Sequence, residues 1–163
     1  MSDVFHRPAE ESDLPQLLLL YEQLDSGTSA LSLDRLQTIF IRMQQYPDYH
    51  IYLAFDGAQL LGSFALLIAD TVGSRCAPIG IVEDVVVDES ARGQGIGLAM
   101  MSLAMDKCRQ AGCYKMMLSS NLSRTDAHRF YESLGFEKHG YSFQVMLQKE
   151  PDPGAVEIRR MSS

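Results

Sequence analysis

Three groups of residues in this sequence have the types and spacing to do chemistry. The first is Arg92-Gly93-Gln94-Gly95-Ile96-Gly97, a turn with glycine at every second position, set between an apolar run and a helical pattern. Glycine lets a backbone approach a ligand closely and gather several N–H groups on one concave surface. A helix start adds unpaired donors and the positive end of its dipole, so the fitting occupant is a phosphate. Taken alone, the same turn serves equally well as a tight strand-to-helix connection with no ligand. The second group is the pair Glu83-Asp84, two carboxylates that can take a proton, or form an ion pair, inside the run 79–87. The third is Tyr131, a phenol that can donate a proton. Read by itself, it is an aromatic on the apolar face of a short helix.

Two common phosphate loops fail here. The Walker pattern needs a Gly-Lys-Ser/Thr triplet, which does not occur, and the dinucleotide pattern starting at Gly93 would need glycine where Leu98 stands. The turn instead resembles the pyrophosphate-binding motif of the GNAT superfamily, Arg/Gln-x-x-Gly-x-Gly/Ala. A second stretch, Ala127-His128-Arg129-Phe130-Tyr131-Glu132-Ser133-Leu134-Gly135-Phe136, is similar to that superfamily's Ala-x-x-Phe-Tyr-x-x-x-Gly-Phe signature. Matching features start at Arg7-Pro8-Ala9 and Asp13-Leu14 and span most of residues 4–147.

The resemblance implies an acetyl-CoA-dependent N-acetyltransferase that moves an acetyl group directly to the primary amine of a small polar metabolite. It implies that Arg92, Gly93, Gln94, Gly95, Ile96 and Gly97 hold the pyrophosphate. Backbone groups of Val85 and Val87, with Asn121, would hold the pantetheine arm; Asn121 is equally suited to cap the following turn. Tyr131 becomes the general acid that protonates the departing thiolate. Glu83, or Asp84 next to it, stands beside the expected reaction centre and could take the amine's proton, directly or through water. A base is needed because an alkyl amine with a pKa of ~10.4 leaves roughly one molecule in a few thousand neutral at pH 7. An acidic residue that some members carry on the fifth strand is replaced by Ser119.

Residues 82–87 and 112–115 look like glucosamine 6-phosphate N-acetyltransferases, whereas Ser120-Asn121, Arg124 and 126–131 look like aminoalkylphosphonate N-acetyltransferases. Arg124 has the chemistry to hold an anionic group, although a solvated loop arginine is the plainer account. A peptide or protein acceptor, or a non-catalytic acyl-CoA-binding module, are the competing readings.

These groups need elements to position them. Leu14, Leu17, Leu18, Tyr21 and Leu24 recur at helical spacing, with Ser12 or Asp13 placed to cap the start, and Ser26-Gly27-Thr28-Ser29 breaks the pattern. Leu36, Ile39, Phe40 and Met43 mark a second helix. Strands are expected at 4–7, 51–55, 60–68, 79–87 and 114–118, and two more near 136–138 and 142–147. Asp56-Gly57 is a hairpin signal. Helices are expected at 96–111 and after Thr125 or Asp126, the latter ended by Gly135. Val85 and Val87 share one parity and Val82 the other, so a β-bulge near Glu83-Asp84 would bring all three to one face. The fold expected is α/β (α+β) and GNAT-like: a mixed, mostly antiparallel sheet flanked by helices and splayed between the fourth and fifth strands. One domain over 1–150 is expected, with an irregular tail over 151–163.

Composition narrows the function classes. Of the 163 residues, 46% are hydrophobic and 21% charged, as in an ordinary globular protein. Lys and Arg number 14 against 21 Asp and Glu, a formal charge of −7 that speaks against nucleic acid and suits a cationic partner. No run approaches the roughly 20 apolar residues of a membrane span, and the first residues lack a signal-peptide pattern. Cys76, Cys108 and Cys113 form no metal-ligand spacing and leave one thiol unpaired, which fits a reducing cytoplasm and no metal. The partner expected is thus a small amine, with a homodimer suggested by the family.

Overall fold

A computed structural model of the chain describes residues 4–24, 31–145 and 147. The helix break expected at 26–29 and the tail over 151–163 lie outside the described residues. Five strands form one sheet in the order β1 (Val4–Pro8), β2 (Tyr49–Asp56), β3 (Gln59–Ala69), β4 (Ile79–Val87) and β5 (Lys115–Leu118). All neighbours are antiparallel except β4 and β5, which are parallel. A parallel pair needs a crossover, and here α4 (Ile96–Gln110) supplies it. The remaining helices are α1 (Leu14–Tyr21), α2 (Leu33–Met43), the single turn α3 (Gly73–Cys76) and α5 (Thr125–Ser133).

Each face of the sheet has its own core. Leu53, Phe55, Ala65 and Val86 point to one side and bury against Leu14 and Leu17 of α1 and Phe40 of α2. Tyr52, Phe64, Leu66 and Val82 point to the other and meet Met100, Met101 and Ala104 of α4. Adjacent residues of one strand thus supply opposite cores, as the period of two requires. The α4 helix lies close to the sheet because Gly62 leaves room there: a Cβ on it would stand 2.6 Å from the Met100 sulfur.

Local signals account for the helix ends. The Ser32 hydroxyl accepts the Arg35 N–H at 3.3 Å and starts α2. Asp13 stands at the N-cap position of α1 as expected, but its side chain makes no cap hydrogen bond there. It is buried, accepts two hydrogen bonds from Arg7 at 2.6 and 2.8 Å, and takes the Glu10 N–H at 2.8 Å. The Arg7 guanidinium holds the Asp13 carboxyl below the usual carboxylate range, and the pair ties β1 to the start of α1. At α5 the N-cap position belongs to Arg124, with no side-chain cap bond, rather than to Thr125 or Asp126.

The two strands expected near 136–138 and 142–147 do not form among the described residues. Tyr141, Phe143, Val145 and Leu147 alternate as a strand's buried face would, yet Tyr141 and Phe143 are each 92% exposed. Alternation specifies which face a strand would bury; it does not supply the neighbour that buries it.

Candidate active site

The β4 strand carries the feature that shapes the site. Ser63 of β3 pairs with Val86, and Ala65, two residues on, pairs with Glu83. Phe64 therefore faces two residues, Asp84 and Val85, which is a β-bulge. Asp84 absorbs it with φ of 51°, a left-handed conformation that Asp tolerates better than most side chains. The extra residue resets the parity, so Val82, Val85 and Val87 all pack on the α4 side.

The bulge also sets where the sheet opens. Only 79–82 of β4 pairs with β5, and Val82 faces Leu118 at the last rung. Beyond it the two strands separate while β4 runs on to Val87. The Asp88 N–H donates to the Leu61 carbonyl of β3 at 2.8 Å. By alternation the backbone groups of Val85 and Val87 face away from β3, into the gap. The Val87 carbonyl there accepts Arg92 Nε at 3.2 Å.

Across the gap lies a cavity of ≈ 150 Å³ whose walls include Glu83, Asp84, Ser119, Ser120, Arg124 and Tyr131. It thus brings together the acidic pair, the phenol and the loop arginine expected from the sequence. Both carboxyl groups sit above their ordinary values: desolvation raises Glu83, with the Asp84 charge adding to it, and desolvation raises Asp84. Two tyrosines from other elements, Tyr21 and Tyr49, feel the charge of the pair. The Tyr21 hydroxyl lies 3.5 Å from Ser63 Oγ, and burial, with Asp84 adding to it, pushes this phenol up to about 12. Burial likewise raises Tyr49, again with the charges of Asp84 and Glu83.

The end of α5 fixes Tyr131. The Phe136 N–H donates to the Tyr131 carbonyl at 3.1 Å and the Gly135 N–H to the Glu132 carbonyl at 3.0 Å, with Gly135 at φ of 87°. This is the Schellman closure, in which the third-last helical residue meets the second residue past the end. Here those residues are Tyr131 and Phe136, edge to face with centroids 5.6 Å apart. Burial raises the Tyr131 phenol while Arg124 pulls it back down.

The glycine turn separates into two functions. Gly93 and Gly95 have φ of 75° and 84°, and a Cβ on either would meet nothing within 4 Å, so both are bent for the turn and open to a ligand. Gly97 has an ordinary conformation, and a Cβ on it would stand 3.1 Å from Phe130 Cζ. The Gln94 side chain folds back to the Ser90 carbonyl at 2.9 Å. Gly95 caps α4 and Ile96 begins it, so the free N–H groups of the first turn lie at this loop. Loop, strand gap and cavity together have the parts for a phosphate-bearing chain ending in a small polar chamber.

Asn121 is partly committed to structure. Its Oδ1 accepts the Ser123 N–H at 2.9 Å and its carbonyl meets His128 Nε2 at 2.9 Å, which leaves the side-chain NH₂ for other partners. Sequence reasoning missed Tyr21 and Tyr49 as neighbours of the acidic pair, since both lie far away along the chain. It gave no role to Ser120, whose Oγ is buried without a hydrogen-bond partner at the cavity wall. Among the described residues no His, Cys, Asp and Glu cluster is arranged to hold a metal, and no helix is long and apolar enough to cross a membrane.

Known proteins resemble this chain in sequence and fold. The family described as "Acetyltransferase (GNAT) family" matches residues 17–136. A glucosamine 6-phosphate N-acetyltransferase of Trypanosoma brucei brucei is 31% identical over 145 residues, covering 89% of this chain and 97% of that protein. An aminoalkylphosphonate N-acetyltransferase of Salmonella typhimurium is 33% identical over 101 residues, 62% of this chain and 65% of that one. A solved Trypanosoma brucei acetyltransferase superposes with a TM-score of 0.77 at 31% identity, covering 89% of this chain and 100% of that structure.

Proposed function

The chain belongs to the acetyltransferase (GNAT) family and is an N-acetyltransferase; from that premise we propose that it moves an acetyl group from acetyl-CoA directly onto the primary amine of a small polar metabolite. The observation that carries this reading is the ≈ 150 Å³ chamber where Glu83, Asp84, Arg124 and Tyr131 converge at the opened end of β4 and β5. A chamber of that size suits an acetyl group and a compact amine.

The coenzyme's pyrophosphate lies on the free N–H groups around Gly93, Gly95 and Ile96, with Arg92, Gln94 and Gly97 completing the loop. The pantetheine arm follows the gap, bonded to backbone groups of Val85 and Val87 and reached by the Asn121 amide. Glu83 takes a proton from the ammonium, and its raised pKa makes it a better base than an ordinary carboxylate. The amine then attacks the thioester carbon, and a β4 N–H steadies the developing oxyanion. As the carbon–sulfur bond breaks, Tyr131 gives its proton to the leaving thiolate.

The acceptor carries an anionic group in this reading. Arg124 lines the same chamber as the acidic pair, so an amine with a phosphate, phosphonate or carboxylate can engage both. The named activities of the Trypanosoma and Salmonella relatives support an acceptor of that type. The deciding experiment is a thiol-release screen with acetyl-CoA and matched amino sugar phosphates, aminophosphonates, amino acids, polyamines and peptides. Small anionic amines should give the highest kcat/KM. A clear preference for peptide amines would overturn the metabolite reading, and coenzyme binding without turnover of any amine would favour a binding module.

A further inference from the structure

The closure that ends α5 recurs at the end of α4, with different side chains. The Cys113 N–H donates to the Cys108 carbonyl at 2.9 Å, and the Gly112 N–H donates to the Arg109 carbonyl at 3.1 Å. Gly112 between them has φ of 74°. This is again the Schellman pattern, in which the third-last helical residue and the second residue past the end share an apolar contact. At α5 those two positions hold aromatic rings in contact; at α4 they hold two thiols. Cys108 is buried in the core between the sheet and α4, and Cys113 packs against that same cluster. The backbone bond brings the two Cα atoms into the roughly 4.4–6.8 Å range that a disulfide spans.

The sheet accommodates the Cys108 sulfur at this point. Gly80 of β4 faces Cys108, and a Cβ there would stand 2.2 Å from the Cys108 sulfur. Cys108 is buried and Cys113 is half-buried, so a small reagent reaches Cys113 first. The third cysteine, Cys76, is exposed.

We infer that Cys108 and Cys113 form an oxidisable dithiol that reacts with a low-molecular-weight disulfide and closes into an intramolecular disulfide, stapling the end of α4 to the chain entering β5. In the first step the Cys113 thiolate attacks one sulfur of the reagent, breaks its S–S bond and expels one thiolate, which takes a proton. In the second, Cys108 gives its proton to solvent and its sulfur attacks that of Cys113 in the mixed disulfide. The second reagent thiol leaves. Two protein thiols are oxidised and one reagent disulfide is reduced to two thiols. The staple lies at the paired end of β4 and β5, away from the opened end that carries the chamber.

The test uses the full chain with Cys76→Ser, treated with oxidised glutathione and followed by intact-mass measurement. The expected product has lost the mass of two hydrogens, regains it with dithiothreitol, and gives a proteolytic fragment linking Cys108 to Cys113. Its Tm should rise by roughly 4–8 °C, the constraint of so short a closed loop. Cys113→Ser in the same background should show neither change. A stable one-glutathione adduct on Cys113, or no reaction in folded protein, would overturn the proposal.

Discussion

Phe136 donates its N–H to the carbonyl of Tyr131 at 3.1 Å and sets its ring edge-on to the phenol, 5.6 Å between centroids. The proposed general acid is thus held by the end of its own helix. Phe136→Ala should loosen the phenol and lower kcat while leaving acetyl-CoA affinity near wild type. Gly135→Ala imposes a side chain at φ of 87°, a left-handed position costing about 1–2 kcal/mol. Urea unfolding and steady-state kinetics on both variants check this, and an unchanged kcat in Phe136→Ala would remove the positioning role.

Gly95→Glu should abolish or greatly weaken acetyl-CoA binding. The position has φ of 84° and open space around it, so a side chain there projects bulk and negative charge where the pyrophosphate would lie. Calorimetry on folded protein reads the outcome directly. Wild-type affinity would mean that the phosphates bind elsewhere.

Tyr131→Phe keeps the ring and deletes the proton, so stability should change little while kcat falls ~10²–10⁴-fold. The pH profile gives an independent sign. A general acid works while protonated, and burial raises this phenol, so activity should hold until the pH passes the ordinary tyrosine value of ~10. Arg124 pulls the phenol down, hence Arg124→Gln should move the basic limb of kcat to higher pH. The same variant should lose anionic acceptors more than neutral ones. Equal losses would assign Arg124 to the coenzyme or to the fold.

Glu83 should govern the acidic limb of kcat/KM. A base works when deprotonated, and the pKa of Glu83 is raised by desolvation and then by the Asp84 charge. The limb should therefore lie above the ordinary carboxylate range in wild type and shift to lower pH in Asp84→Asn. Glu83→Gln should remove it and reduce the rate ~10²–10⁴-fold. A profile unmoved by Asp84→Asn would show that another group titrates.

Gly97→Val should destabilise the protein by about 1–3 kcal/mol through overpacking against Phe130, whose ring tip would stand 3.1 Å from the new Cβ. Trimming the ring in Gly97→Val with Phe130→Leu should recover part of the loss. Thermal and urea melts of the single and double variants decide it.

Much of this was legible because it is local. Helical spacing marked Leu14, Leu17 and Tyr21 on α1, and alternate glycines marked the turn before α4. The parity change between Val82 and Val85 announced the bulge, since only an extra residue brings both to one core. What stayed hidden depends on distant parts of the chain meeting. Tyr21 and Tyr49 come within electrostatic reach of Asp84 because α1 and the sheet bring distant stretches together, which no spacing encodes. Gly97 reads like its two companions, yet its neighbour is Phe130 on another helix. The alternation from Tyr141 to Leu147 is real in sequence, but no described neighbour buries it.

The bulge at Asp84 makes the length of β4 matter more than its lettering. Substituting a residue there leaves the count of two against one opposite Phe64 intact. Removing one would restore a regular ladder to β3, which is locally the more stable arrangement, and would turn every side chain on one side of the deletion to the opposite face. Either Val82 would leave the α4 core, or Val85 and Val87 would turn their backbone groups away from the gap. A protein shortened by this one residue should pair its sheet well and lose its cleft. Chains that share this site are therefore expected to vary in sequence across the bulge while keeping its residue number fixed.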